Sequence, residues 1–273
     1  MWVESRTLSH ALDTHGFQFI SLALLPAPEQ LSCKVTTETE IRPVPPPAGN
    51  RFWKFFRAVL RWSAITAVSL WLLLALLLVA YKWIDPPTTA VHVERRLQAI
   101  LHGTPYKKRY QFVPLRQISP DFQHAVISAE DARFYVHHGF DWRAIQLAAQ
   151  DDMEGGRIRG GSTISQQLVK NLFFGTGRSF VRKGAEFTLV PVAEFVLGKQ
   201  RILELYLNVV EWGPGIYGAE SACRAYYNIP ARSAGRQQGA QLAAILPAPL
   251  RRKPNRMGHY SEIILKRMRQ AGW

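Results

Sequence analysis

The longest uninterrupted apolar stretch, WSAITAVSLWLLLALLLVAY, runs from Trp62 to Tyr81. Twenty helical residues rise about 30 Å, which matches the hydrocarbon thickness of a bilayer. A core helix is rarely apolar all round, and a cleaved signal peptide would sit nearer Met1 with a small-residue site behind it. The run therefore predicts a membrane anchor over 58–84. Ahead of it lies a tail of mixed composition, 1–57, which includes the Pro-rich stretch RPVPPPAGN at 42–50, read as an extended linker. A second apolar run, FISLALL at 19–25, is too short to span.

From about residue 90 the pattern turns helical, with no sustained period-2 alternation and no internal repeat. Ser119-Pro120 offers a cap and a first turn, after which Phe122, Ala125, Val126 and Ala129 step along one face, and the pattern runs on to His138-Gly139. In RGGSTISQQLVKNLFF, 159–174, Ile164, Leu168, Val169 and Leu172 share one arc. Thr163, Gln166, Gln167 and Lys170 share the opposite one. A solvated face would mix Glu and Lys, so this polar stripe reads as chosen to hydrogen-bond something. Further helices are predicted over 181–197, with Pro191 kinking or breaking it, over 199–212 and over 259–270. The region 85–273 is thus a mainly α domain.

Charge sets orientation. Arg51, Lys54, Arg57 and Arg61 precede the span and Lys82 alone follows closely, which puts the N-terminus in the cytoplasm and the domain outside. Trp62, Tyr81 and Trp83 suit an interfacial belt, whereas Trp71 lies mid-span. The chain carries +14, and residues 85–273 hold 26 lysines and arginines against 15 acids. Outside the membrane such a balance points away from nucleic acid and towards phosphate-bearing lipid. Cys33 and Cys223 fall on opposite sides of the bilayer and cannot pair.

Among chemically useful residues, Glu130-Asp131 stands out, because burial beside Ala129, Phe134 and Tyr135 would raise a pKa and make a general base. His137 falls at nearly the same helical angle as Glu130. The plainer alternative pairs Asp131 with Arg133 or Arg143 and leaves Glu130 in water. The His137-His138 doublet lacks the spacing of a metal site. Lys170, Arg178, Arg182 and Lys183 crowd one stretch with Glu186 as almost the only acid, either as a pyrophosphate cradle or as an exposed basic face. GPGIYG, 213–218, matches a dinucleotide fingerprint by letters but follows a helical pattern. It reads instead as a tight turn that starts a helix close to another element. Arg251 and Arg252 read as surface residues.

Five blocks in order, EDARFYVHHG (130–139), GGSTISQQLVKN (160–171), RKGAE (182–186), KQRILELYLN (199–208) and GPGIYGAESACRAYYN (213–228), resemble the bacterial peptidoglycan glycosyltransferase family. Ser165, Tyr227 and Pro191 depart from the family's usual residues. The resemblance implies a lysozyme-like α-helical domain behind a single inner-membrane helix, with the domain in the periplasm. It implies lipid II and the growing lipid-linked glycan as substrates, with membrane lipids and other cell-wall synthesis or division proteins as partners. Glu130 matches the general base, and Glu186 a second glutamate that orients the donor or holds a divalent cation, Mg or Mn. No organic cofactor is implied. Lys170, Arg178, Arg182 and Lys183 match pyrophosphate ligands, and Ser162, Thr163, Gln166, Gln167 and Asn171 line the cleft. With no SxxK or KTG and 65 residues after Asn208, the chain reads as a polymerase without transpeptidase activity.

Overall fold

The computed structural model describes residues 49–153, 161–177 and 179–273. The 19–25 run, Cys33, most of the Pro-rich stretch and Arg178 lie outside them. The first helix, α1 (Gly49–Ala80), begins inside the stretch read as a linker, so it is longer than the apolar run alone. Within it, Arg51–Ala80 is long and apolar enough to cross a membrane and is almost wholly unburied, as a lipid-facing helix is and a core helix is not.

The end of α1 is gripped from the side. Leu78 is fully buried in the core of the domain, and the Tyr81 ring stacks on Phe173 with centroids 6.2 Å apart. Trp71 Nε1–H donates to Thr188 Oγ1 at 2.9 Å, which gives the mid-span indole a polar partner from the domain itself. Beyond it, the Arg201 guanidinium donates to Tyr81 O and Ile84 O and pairs with Asp85 at 2.9 Å.

The rest is mainly helical: α2 (Ala90–Leu101), α3 (Pro120–Glu130), α4 (Trp142–Met153), α5 (Ile164–Phe173), α6 (Phe180–Val209), α7 (Ala219–Tyr227), α8 (Arg236–Ala243) and α9 (Gly258–Gln270). The core forms where α5 packs on α6 and α3 packs on α8 and α9. Ile164, Leu168, Val169 and Leu172 are all buried there, as the spacing of α5 predicts. Cys223 is buried and unpaired by any disulfide.

Three expectations from the periodicity change. α3 stops at Glu130 rather than near residue 138, because Asp131 turns extended (φ −160°) and commits its carboxylate to tertiary partners. Pro191 does not break α6; the one non-helical residue is Gly198, at φ 70°. The proline frees only the carbonyl of residue 187, and Phe187 is an exposed position where that loss costs least. The 199–212 helix ends at Val209 and gives way to strand.

Three strands of two or three residues, β1 (Arg109–Tyr110), β2 (Glu211–Gly213) and β3 (Ile216–Tyr217), form a sheet of order β1-β3-β2. They are too short for alternation to show. Their hairpin is the GPGIYG segment, and it is the expected tight turn. Gly218 sits at φ +85°, and a Cβ there would lie 2.5 Å from Asn208 O, so only glycine lets α7 start against α6.

Candidate active site

The two carboxylates at the end of α3 part company. Asp131 turns inward, where both its oxygens lie 2.9 Å from His137 Nε2 and the Ile164 N–H donates to Oδ2 at 2.9 Å. It therefore caps α5, and its partner is His137 rather than Arg133 or Arg143. His137 Nδ1 accepts from the Gly139 N–H, so both ring nitrogens are committed to the protein. His137 does not share a helix face with Glu130, because α3 has already ended.

Glu130 faces the other way. Recessed at the floor of a depression, it accepts from Gln167 Nε2–H at 2.9 Å, while Gln167 Oε1 accepts from the fully buried Tyr206 hydroxyl at 2.9 Å. Tyr206 thus fixes which way the amide points, and the amide fixes the carboxylate. Burial pushes the Glu130 carboxyl above the ordinary range; the Gln167 hydrogen bond opposes this, the Asp131 charge adds to it and Arg252 opposes it. Burial also raises the Tyr206 hydroxyl well above its usual value, so it stays a donor.

The polar stripe of α5 divides by position. Thr163 and Gln166 are buried and form a reciprocal cap: Thr163 Oγ1 accepts from the Gln166 N–H and donates to Gly139 O at 2.6 Å, while Gln166 Oε1 accepts from the Thr163 N–H. Both shape the helix start, and Thr163 also lines the depression above Glu130. Ser162 is exposed on the depression. Asn171 Nδ2 donates to Gln167 O at 2.7 Å, on its own helix. Sequence periodicity cannot separate a cap from a ligand contact, since both place polar residues at the same angle.

One turn beyond Gln167, about 4.5 Å along the axis, Lys170 opens a cation cluster. Burial pulls its ammonium down, Glu186 opposes this, and Arg182 and Lys183 add to the fall. Buried Glu186 is held between Arg182 Nε and Lys183 Nζ, each at 3.1 Å. Arg182 Nη1 is buried without a hydrogen-bond partner among the described residues, so the fork has a donor to spare beyond the Nε that faces Glu186. Arg178 lies outside those residues. With both cations on Glu186, and no group of three or more metal-type side chains among the described residues, the donor set does not fit a resident divalent cation.

The depression above Glu130, about 390 Å³, is also lined by Arg133, Asp141, Arg143 and Arg267. Asp141 is committed to Arg133 Nη1 at 2.9 Å and to the Ala144 N–H. Glu130 is left as the carboxylate free to react. Arg252 is not a bland surface residue: its charge acts on Glu130, and it packs over Tyr260. The sequence offers no sign of Tyr206, Arg252 or Arg267 at the site, since they arrive from α6, the segment between α8 and α9, and α9 respectively.

Residues 95–269 match the family model described as Transglycosylase. The chain is 45% identical over 197 residues to a biosynthetic peptidoglycan transglycosylase of Pseudomonas fluorescens (strain SBW25), covering 72% of this chain and 79% of the relative. It is 42% identical over 222 residues to one from Pseudomonas aeruginosa, covering 81% of this chain and 92% of that protein. A match over most of the helical domain and relatives at this identity agree with a recessed glutamate set one turn from a cation cluster, and the chain belongs to the transglycosylase family.

Proposed function

We propose that this chain polymerises lipid II into β-1,4-linked glycan for the cell wall, with inversion at the anomeric carbon and release of undecaprenyl pyrophosphate. The observation that carries the reading is the Tyr206–Gln167–Glu130 relay, which aims one elevated carboxylate into an open depression. Glu130 takes the proton from the acceptor's 4-hydroxyl as that oxygen attacks the donor's anomeric carbon. The bond to pyrophosphate breaks on the opposite face, and the leaving charge is met by Lys170, Arg182 and Lys183. Arg178 joins them by family resemblance. A raised Glu130 is a stronger base than an ordinary carboxylate, so the transfer is better matched near neutral pH. The leaving group needs neutralisation rather than an acid, so one carboxylate suffices.

A lytic glycosidase would need a second reactive carboxylate facing the first. In the depression, Asp131 and Asp141 are both committed elsewhere. A divalent cation would come bound to the pyrophosphate and add to the neutralisation of its charge.

One helix suited to span the membrane, with four cations ahead of it, supports a single-pass protein of the inner membrane with a cytoplasmic N-terminus and a periplasmic domain. Phe180, Val181, Phe187 and Phe195 are exposed along α6, the helix that meets α1 at Thr188, as suits an enzyme whose substrates are held in lipid. Incubation of the purified chain with labelled lipid II tests the reading. Glycan polymer with released undecaprenyl pyrophosphate is expected. Fragments from preformed glycan, or no reaction, would overturn it.

A further inference from the structure

Behind the active site, α2 carries an apolar stripe that nothing covers. Val93, Leu97, Ile100 and Leu101 are all exposed, by 47%, 53%, 66% and 82%, at the spacing of one helix face. The opposite face is tied into the domain through Glu94 to the Thr176 N–H, Arg95 to Glu211 at 3.0 Å, and His92 to Val209 O. The helix is therefore fixed with its apolar side outward.

Beside the stripe lies a surface depression of about 800 Å³. Val93, Leu97 and Ile100 form its apolar wall, Arg96 and Lys108 bring charge, and Thr88, His92 and Tyr106 complete it. Among the described residues, neither cation pairs with a carboxylate, and Lys107 and Arg109 next to them have no ion pair either. Lys108 Nζ spends one of its three donors on Pro87 O and stands over the Tyr110 ring at 4.6 Å. His92 is buried, with Nε2 on the Val209 carbonyl, so Nδ1 is an acceptor; it has no partner among the described residues.

The place of this face relative to the bilayer is set by the chain. Trp83 and Ile84, both exposed, mark the exit of α1, and the exit loop is pinned by Arg201, Lys108 and Tyr110. Six Cα-to-Cα steps lead from Ile84 to Ala90, a reach of at most about 20 Å. A basic, amphipathic, rigidly held helix so close to the membrane exit has the make-up of an interfacial element.

We propose that this face of α2 binds the headgroup of an anionic phospholipid in the leaflet that α1 leaves at Tyr81. Arg96 and Lys108 take the phosphate, Val93, Leu97 and Ile100 take the upper acyl chain, and a headgroup hydroxyl can donate to His92 Nδ1. The inference rests on reading α1 as the membrane helix, but it is independent of the polymerase reaction.

The test is a native mass-spectrometric titration of the full chain in non-ionic detergent with dioctanoyl phosphatidylglycerol, which reads binding whether or not the chain polymerises lipid II. Saturable binding is expected. The Arg96→Ala/Lys108→Ala pair should weaken it about thirty-fold, from roughly tenfold or less per cation near an anionic lipid. Lys108→Arg should keep most of the affinity, and Arg251→Ala, exposed and outside the lining of this depression, should leave it unchanged. Leu97→Ser should weaken phosphatidylglycerol without affecting inorganic phosphate. Equal affinity for dioctanoyl phosphatidylcholine, or the same affinity in the folded double variant, overturns the proposal. Inorganic phosphate binding as tightly as the lipid makes this a free-anion pocket and also overturns it. Hydrogen exchange over 90–101 in nanodiscs that is indifferent to phosphatidylglycerol but slowed by another envelope protein makes it a protein-docking face instead.

Discussion

The two ends of α5 are built by opposite rules. At its N-terminal end the buried polar groups find partners inside the protein: Asp131 with His137 and the Ile164 N–H, Thr163 with Gln166 and Gly139. At its C-terminal end the Lys170 side chain has no hydrogen bond or ion pair among the described residues; burial lowers its ammonium, and Arg182 keeps Nη1 buried and unbonded among them. Leaving such donors without partners costs stability unless a ligand arrives. The satisfied end holds the helix in place, and the unsatisfied end offers donors that, under the proposed reaction, meet the leaving pyrophosphate. Glu130 stands between them, held by the protein through Gln167 yet open to the depression.

Breaking the comparison at its hinge should give the largest effect. Glu130→Gln keeps the Gln167 contact but removes the proton acceptor, and turnover on lipid II should fall about 10²–10⁴-fold in a folded protein. Its stability should move the other way. A carboxyl raised in the folded state lowers stability above the unfolded value, about 4.3, and that cost disappears on acidification through it. Glu130→Gln should therefore melt slightly higher than the parent at pH 7, with the gap closing towards pH 4.

At the satisfied end, Asp131→Ala should act on folding rather than chemistry. It strands His137 and the start of α5, and denaturant titration should show a loss of about 3–5 kcal/mol, as for a broken buried pair. Wild-type stability would put the carboxylate outside the core network. At the unsatisfied end the opposite is expected. Lys170→Met should lower turnover about 10²–10³-fold while weakening donor binding less, with little loss of stability, since the lysine is already partly desolvated. Equal falls in donor affinity and turnover would make it a ground-state anchor only.

The smallest effect sharpens the hinge. Arg252 holds the Glu130 carboxyl down, so Arg252→Ala should move the acidic limb of the pH–rate profile upward, whereas Arg251→Ala should not move it. Superimposable profiles for both variants would return Arg252 to the plain surface.

What the sequence reveals follows the range of each interaction. The membrane helix, the buried arc of α5 and the GPGIYG turn are legible because each is decided by neighbours within a few residues. The end of α3 is not, since the letters ARFYVHH remain compatible with a helix, and Asp131 is drawn out of it by His137 together with the Ile164 N–H, 33 positions on. Tyr206 looks like one more apolar position in LELYLN; its hydroxyl meets Gln167 across 39 residues. Glu130, Lys170, Arg182 and Lys183 could be singled out because clustered charge is costly without a purpose. The capping roles of Thr163 and Gln166 are not legible, because a helix cap and a ligand contact draw on the same side chains.

The sideways grip on α1 has a mechanical consequence. An anchor joined only by a loop would be a leash, letting the domain tumble above the bilayer. Trp71 on Thr188, Tyr81 on Phe173 and Arg201 on the exit loop make it a mast instead. The cleft is then carried at one height and one tilt, and meeting a lipid-borne sugar becomes a search in a plane. Adding a single residue to α1 between Trp71 and Leu78 would turn the mast by about 100° against its step, and the cleft would sail at the wrong angle with every active-site residue intact.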